Sequence, residues 1–295
     1  MIHDYLLPKI CQRYLDYYNH QVRAQGSVRE MRRILIGLDI YFKKAGAPLN
    51  EISIQQVDQF LALYNTNYSI ETAKLNRSHL RQFLRYLYLN EYIKKDLSPL
   101  VVSPPEFGRS KPPKFLRTHE VQKLFDSLDL STAKDLRTNA AMHLAYYLGL
   151  RPKEISSLTL DDISFRQKEI FIRSRKNGSP AHLPLPDNII KAITAYIVGG
   201  RPQSKHRALF LHLHSPHKPV SRANIPILIR DCMLKNNLPA NTYWLRHSFA
   251  QNMLESGASI FEIKEMMGHK SLDSTKKYLS VHIKLMREVI LDETL

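Results

Sequence analysis

Acidic side chains are scarce in this chain: 27 Asp and Glu stand against 43 Lys and Arg among 295 residues, a formal net charge of +16. So positive a field favours a polyanion, of which duplex DNA or RNA is the commonest. The shortage is also local, because lysines and arginines recur in clusters without nearby acids to offset them. Cysteine is almost absent. Cys11 and Cys232 are far apart and in no ligand spacing, which excludes a disulfide framework and a cysteine zinc site and fits a reducing cytosol. No unbroken apolar run is long enough for a membrane helix, and Met1-Ile2-His3-Asp4 lacks the basic-then-apolar plan of a signal peptide. Internal repeats and low-complexity tracts are missing too. A cytoplasmic protein with no membrane association is expected.

What is present is enough for two domains: 295 residues, 43% of them hydrophobic. From about Tyr5 to Leu97 apolar residues recur at three and four, as in Leu35, Leu38, Ile40, Tyr41 and Phe42, then Leu80, Phe83, Leu84, Tyr86 and Leu87. That period predicts helices, and no strand pattern interrupts it. Arg32, Arg33, Lys43, Lys44, Lys74, Arg77, Arg81 and Arg85 ride on the same segments. Singly each suits a solvated helix face; as a set they read as a phosphate-contacting surface. Between Ser98 and Phe115 the composition turns to proline, with Arg109 and Lys111, and cannot be helical. The spacing therefore predicts a helical DNA-binding domain over 1–100, a basic Pro-rich linker over 101–114, and a second domain over 115–295 opening at a helix N-cap on Thr118.

The second domain reads as helical except in one region. Asp162 to Phe165 and Glu169 to Ile172 alternate as strands, Lys176-Asn177-Gly178-Ser179 supplies a hairpin turn, and His182 to Leu185 reads as the return strand. A mainly α fold with a small antiparallel sheet is expected, Lys176 standing at the hairpin tip. His212, His214 and His217 are interrupted by Pro216 and lack acidic or cysteine ligands nearby, so they read as an exposed loop; no metal or other cofactor is expected.

Three stretches carry chemistry. In Gly149-Leu150-Arg151-Pro152-Lys153-Glu154 the glycine can stop one helix and the proline open the next, leaving Arg151 at the junction with Glu154 one turn on to hold its guanidinium. In Tyr243-Trp244-Leu245-Arg246-His247, Arg246 sits among apolar residues, as a charge held in a cleft for bidentate phosphate contact would. His247 reads as structural, filling space beside Phe249. Near the end, Gly268 stops a helix so that His269 emerges in a loop, and a short helix from about Ser271–Ser274 carries Tyr278. Metal-free phosphodiester cleavage requires a nucleophile, positive charge on the non-bridging oxygens, a proton acceptor and an acid for the leaving oxygen. The chain offers a residue for each.

Leu148-Gly149-Leu150-Arg151 with Glu154, the hairpin Lys176, Leu245-Arg246-His247-Ser248-Phe249-Ala250, and Gly268-His269 followed by Tyr278 together resemble the tyrosine recombinase family of phage integrases and Xer proteins. The match spans most of 118–278, and the basic helical N-terminal part is similar to that family's core-binding domain. The resemblance implies that Tyr278 attacks the scissile phosphate to give a 3′-phosphotyrosyl bond, that Arg151 and Arg246 clamp the non-bridging oxygens, that Lys176 protonates the leaving 5′-oxygen, and that His269 hydrogen-bonds the phosphate. Strand exchange then needs neither ATP nor metal. One position departs: the family usually has histidine three residues before the second arginine, where this chain has Tyr243. A phenol of ordinary pKa about 10 is a poor base at neutral pH, so Tyr243 is expected to position the phosphate while His269, water or the DNA takes the proton. The apolar stripe Val281, Ile283, Leu285, Met286, Val289 and Ile290 predicts a tail helix, which in the family docks on a neighbouring protomer, implying a synaptic tetramer on DNA. Integration or excision of a mobile element, dimer resolution and inversion stay open. A topoisomerase-like relaxing activity would use the same residues. The other class of reading is a DNA-binding accessory protein that keeps the fold and not the chemistry.

Overall fold

A computed structural model describes residues 5–21, 25–103, 114–173, 175, 180–238, 241–269, 271–272, 274–275 and 278. Two compact units divide the chain, Met1–Arg109 and Ser110–Leu295. The first is helical: α1 (Lys9–His20), α2 (Gln25–Ala45), α3 (Ile54–Tyr64) and α4 (Ile70–Leu89). Met31, Ile34, Leu35, Leu38 and Phe42 of α2 and Leu80, Phe83, Leu84 and Leu87 of α4 are all buried, the three-and-four spacing of one apolar face turned inward. Ile40, expected in the same set, falls off that face and is exposed. Serine caps start the later helices: Ser53 and Gln56 form a reciprocal capping box on α3, and Ser69 accepts from the Thr72 amide on α4. The core continues to Val101, which is 1% exposed, one residue into the segment expected as linker.

The second unit contains α5 (Thr118–Asp126), α6 (Ala133–Tyr147), α7 (Pro152–Ser157), the strands β1 (Ile163–Ser164), β2 (Glu169–Ile172) and β3 (Ala181–Pro184), then α8 (Asp187–Gly199), α9 (Asn224–Lys235), α10 (Thr242–Glu255) and α11 (Ile260–Met267). The N-cap of α5 is Arg117 and not Thr118, because the Glu120 carboxylate reaches back to the Arg117 amide at 2.7 Å. The strands pair antiparallel in the order β1-β2-β3, with Ile163 opposite Ile170 and Ile170 opposite Leu183. β1 is shorter than expected, since Leu160–Asp162 is a 3₁₀ turn in which the Asp162 carboxylate accepts from the Thr159 amide and hydroxyl. β3 runs one residue earlier than read, and Leu185 beyond it is buried in the core. α6 is buried from Leu136 to Met142 and packs against α8, α9 and α10. It is the central post of this unit, and the turn after its C-terminal end leads into the site.

Among the described residues no helix is long and apolar enough to cross a membrane.

Candidate active site

Gly149 follows α6 with φ +58°, a left-handed value that glycine adopts without strain, and a Cβ there would come within 2.4 Å of the Phe249 ring on α10. The chain thus reverses against α10 and delivers Arg151 at the N-terminus of α7, where Pro152 fills the first helical position. Glu154 does two jobs: its Oε2 accepts from the Arg151 amide at 2.7 Å and its Oε1 from Arg151 Nη1 at 2.9 Å. A Gly149→Ala substitution combines backbone strain with the Phe249 clash. We expect it to destabilise the protein by about 1–3 kcal/mol, measured by urea unfolding, and to lower any activity that needs Arg151.

Arg246 projects from α10 and is 4% exposed. Its Nη1 donates to the Gly149 carbonyl, its Nη2 to the Met267 carbonyl at 2.5 Å, and its Nη1 lies 4.0 Å from Glu154 Oε2. Burial and then the neighbouring Arg151 charge hold its pKa down at about 10, so it stays cationic at neutral pH. Arg151 Nη2 donates to the Gly268 carbonyl at 3.1 Å. A third guanidinium, that of Arg175 just past β2, donates to the Glu265 carbonyl at 2.9 Å and packs its Cδ where a Cβ on Gly268 would fall, 2.8 Å away. Three arginines therefore dock on carbonyls of the last turn of α11, which carry the negative end of its dipole; the Glu265 carbonyl also accepts from the Gly268 amide at 3.0 Å. Among the described residues Glu154 is the one carboxylate within ion-pair reach of Arg151 or Arg246. Arg175 Nε is buried with no hydrogen-bond partner among the described residues, and burial pushes its pKa down. Three guanidinium groups outnumber the carboxylates that act on them, Glu154 and, on Arg175, Glu265; with a buried donor unused they make a pocket suited to an anion.

Gly268, in the left-handed conformation at φ +58°, ends α11. His269 follows half-buried, its Nδ1 2.8 Å from the hydroxyl of Thr275, which is fully buried. Tyr278 has helical backbone, as do Ser274 and Thr275, and is 1% exposed. Its ring sits in a small apolar cluster of Phe249, Ala250, Leu254, Ile263 and Met267. Burial pushes its hydroxyl pKa up to about 12, against the lowering pull of Arg246 and then Arg151. The hydroxyl lies 2.7 Å from His247 Nδ1. The His247 ring, expected to fill space beside Phe249, instead meets the phenol.

Tyr243, the second residue of α10, is 50% exposed. Lys176, Arg109, Lys111 and the tail stripe lie outside the described residues. In the first unit the basic residues are less uncompensated than their sequence neighbours suggested, because acids arrive from other turns and segments. Arg33 pairs with Glu30 at 2.5 Å, Lys43 with Asp39 at 2.8 Å, and Arg85 with Asp96. Arg32 Nη2 donates to the Tyr5 carbonyl at 2.9 Å and Arg81 Nη2 to Ser103 Oγ at 3.2 Å. Lys44 is exposed, and Lys74 and Arg77 are half-buried. His217 Nδ1 lies 3.1 Å from the His212 carbonyl, within the loop read from sequence.

The family model described as the phage integrase family matches residues 114–284, more than half of the chain. The tyrosine recombinase XerD of Staphylococcus epidermidis is 32% identical over 219 residues, covering 72% of this chain and 72% of that protein. The integrase/recombinase y4rA of Sinorhizobium fredii is 28% identical over 258 residues, and although 86% of this chain is covered, the match spans only 63% of the relative. The fold is that of the XerH site-specific recombinase in a post-cleavage complex with palindromic difH substrate, with a TM-score of 0.74, 19% identity and coverage of 89% of this chain and 78% of that one. It is likewise that of a lambda integrase dimer bound to a COC′ core site, with a TM-score of 0.71, 17% identity and coverage of 91% and 75%.

Proposed function

Because the chain belongs to the phage integrase family, we propose that it is a site-specific DNA recombinase that cleaves and rejoins duplex DNA through a 3′-phosphotyrosyl intermediate. The observation that carries this reading is the convergence of Arg151, Arg175 and Arg246 on the turn at the end of α11, with Glu154 as their shared counter-charge. A scissile phosphate would offset part of that excess positive charge. Arg151 and Arg246 hold the non-bridging oxygens, His269 hydrogen-bonds the phosphate, Lys176 protonates the leaving 5′-oxygen, and Tyr278 is the nucleophile. Tyr243, half-exposed on α10, adds a phosphate contact.

The first unit supplies a second set of phosphate contacts to the duplex. Lys74, Arg77, Arg81 and Arg85 recur at three and four along α4 and so form one stripe, to which Lys44, Arg32, Arg33 and Lys43 add charge. Binding dominated by such phosphate contacts is steeply salt-dependent: we expect affinity for duplex DNA to fall on the order of 10³-fold between 50 and 200 mM salt, and a flat salt profile in a gel shift would refute this role for the stripe. Self-association on DNA into a synaptic tetramer, in the cytoplasm, completes the reading. The biological task is integration or excision of a mobile element or resolution of dimers.

The test is covalent capture. Randomly nicked genomic DNA from the source organism is incubated with the full-length protein, the SDS-resistant complexes are recovered, and the junctions are sequenced. Junctions concentrated at one short sequence with the protein on a 3′-phosphate support the recombinase. Tight DNA binding with no covalent product supports an accessory protein of the same fold.

A further inference from the structure

We propose that His247 is a catalytic residue of the strand-cleavage step, the group that takes the proton from Tyr278. The inference rests on the recombinase reading and assigns a role that reading leaves vacant. Tyr243 is a phenol, half-exposed, and makes no side-chain hydrogen bond to a described residue. His269 directs its Nδ1 to Thr275. His247 Nδ1, in contrast, lies 2.7 Å from the Tyr278 oxygen, within the range a proton-transfer pair requires. A phenol held at about 12 keeps its proton at neutral pH, so in this pair the hydroxyl donates and the imidazole nitrogen accepts. Among the described residues the charged groups acting on that oxygen are Arg246, from the same helix as His247, and Arg151, from the start of α7. Both stabilise the phenolate as it forms and neither can accept a proton.

The helix also explains why position 247 can stand in for position 243. The two are four residues apart on α10 and so lie one turn apart on the same face. His247 thus presents an imidazole one turn along that face from Tyr243, directly after Arg246, the most deeply buried of the proposed phosphate ligands. The distance between phosphate clamp and base is therefore fixed by one peptide unit of a packed helix.

As the Tyr278 oxygen bonds to phosphorus, its O–H bond breaks and the proton passes to His247 Nδ1. The bond from phosphorus to the 5′-oxygen breaks, the electron pair stays on that oxygen, and Lys176 supplies its proton. Rejoining runs the same transfers backwards.

The experiment uses the full-length protein and a nicked duplex carrying the sequence recovered by covalent capture, under single-turnover conditions. His247→Gln is expected to lower cleavage by roughly 10²- to 10⁴-fold, the usual contribution of a general base, with gel-shift affinity unchanged. Cleavage by the wild type should level off as pH rises past deprotonation of the base, while the glutamine variant should keep rising. Free imidazole should restore part of the activity of His247→Ala, and Tyr243→His should restore part of that of His247→Gln by returning an imidazole to the same face. A glutamine variant that cleaves at the wild-type rate overturns the proposal. So does one that cleaves faster, which would make the pair a latch on the nucleophile. A loss with an unchanged pH profile and no rescue by imidazole or Tyr243→His also overturns it, leaving His247 a packing role. Absence of any adduct with the wild type rejects the recombinase reading itself, and this proposal with it.

Discussion

Tyr278→Phe is expected to abolish covalent capture altogether while leaving the protein folded and bound to DNA. Removing a nucleophile that acts as one unit with its neighbours lowers turnover on the order of a millionfold, below the detection of any adduct assay. The same change is structurally mild. The phenylalanine ring keeps the apolar contacts with Phe249, Leu254, Ile263 and Met267, and the hydrogen bond to His247 is lost. That loss is worth about 1 kcal/mol, so urea unfolding should move little. Retained capture in the phenylalanine variant would assign the nucleophile elsewhere among the chain's tyrosines.

Arg246→Met should show the opposite balance, harming both chemistry and fold. Methionine matches the length of the aliphatic stem but supplies no donors. Loss of one pre-placed donor from a site of developing negative charge costs about 10²–10³ in rate, and Arg246 presents two. Its removal also takes a donor from the carbonyl of Gly149, in the turn after α6, and from that of Met267, the last residue of α11. Each buried carbonyl left without a donor costs roughly 1–3 kcal/mol. Relief of the repulsion between Arg246 and Arg151 offsets part of this. Single-turnover cleavage and urea unfolding measured on one preparation separate the two effects. Arg246→Lys should restore charge but not the forked geometry that reaches both carbonyls, and so recover stability only in part.

The sequence made some of this legible and hid the rest for physical reasons. Helix stops and starts were readable because Gly149, Pro152 and Gly268 act through their own backbones, and those local rules need no tertiary information. Glu154 was readable as Arg151's holder because the two are one turn apart. The small sheet was visible in its alternation, and its edges slipped by a residue or more because Asp162 prefers to cap Thr159. His247 and Arg175 were not readable in their observed places. A residue next to Arg246 points about 100° away around the helix, so its neighbour depends on where residues 269–278 return, a long-range fact. Arg175 finds its partner carbonyl ninety residues later. The ion pairs of the first unit escaped for a similar reason: Arg85 and Asp96 are separated by the turn after α4.

The seat of Tyr278 also decides which partner must move. Taking a buried aromatic side chain out of its apolar cluster costs about 2 kcal/mol, and it would also part the hydroxyl from His247, 2.7 Å away. If His247 takes the proton, the ring stays seated and the scissile phosphate is brought to it, toward the Arg246 and Arg151 charges that act on the same hydroxyl. Contacts that carry the phosphate to that depth are then needed for cleavage and not for binding. The threshold for cleavage is thereby separate from the threshold for binding, and a substitution that unseats the ring, such as Leu254→Ala, should slow single-turnover cleavage while leaving gel-shift affinity unchanged.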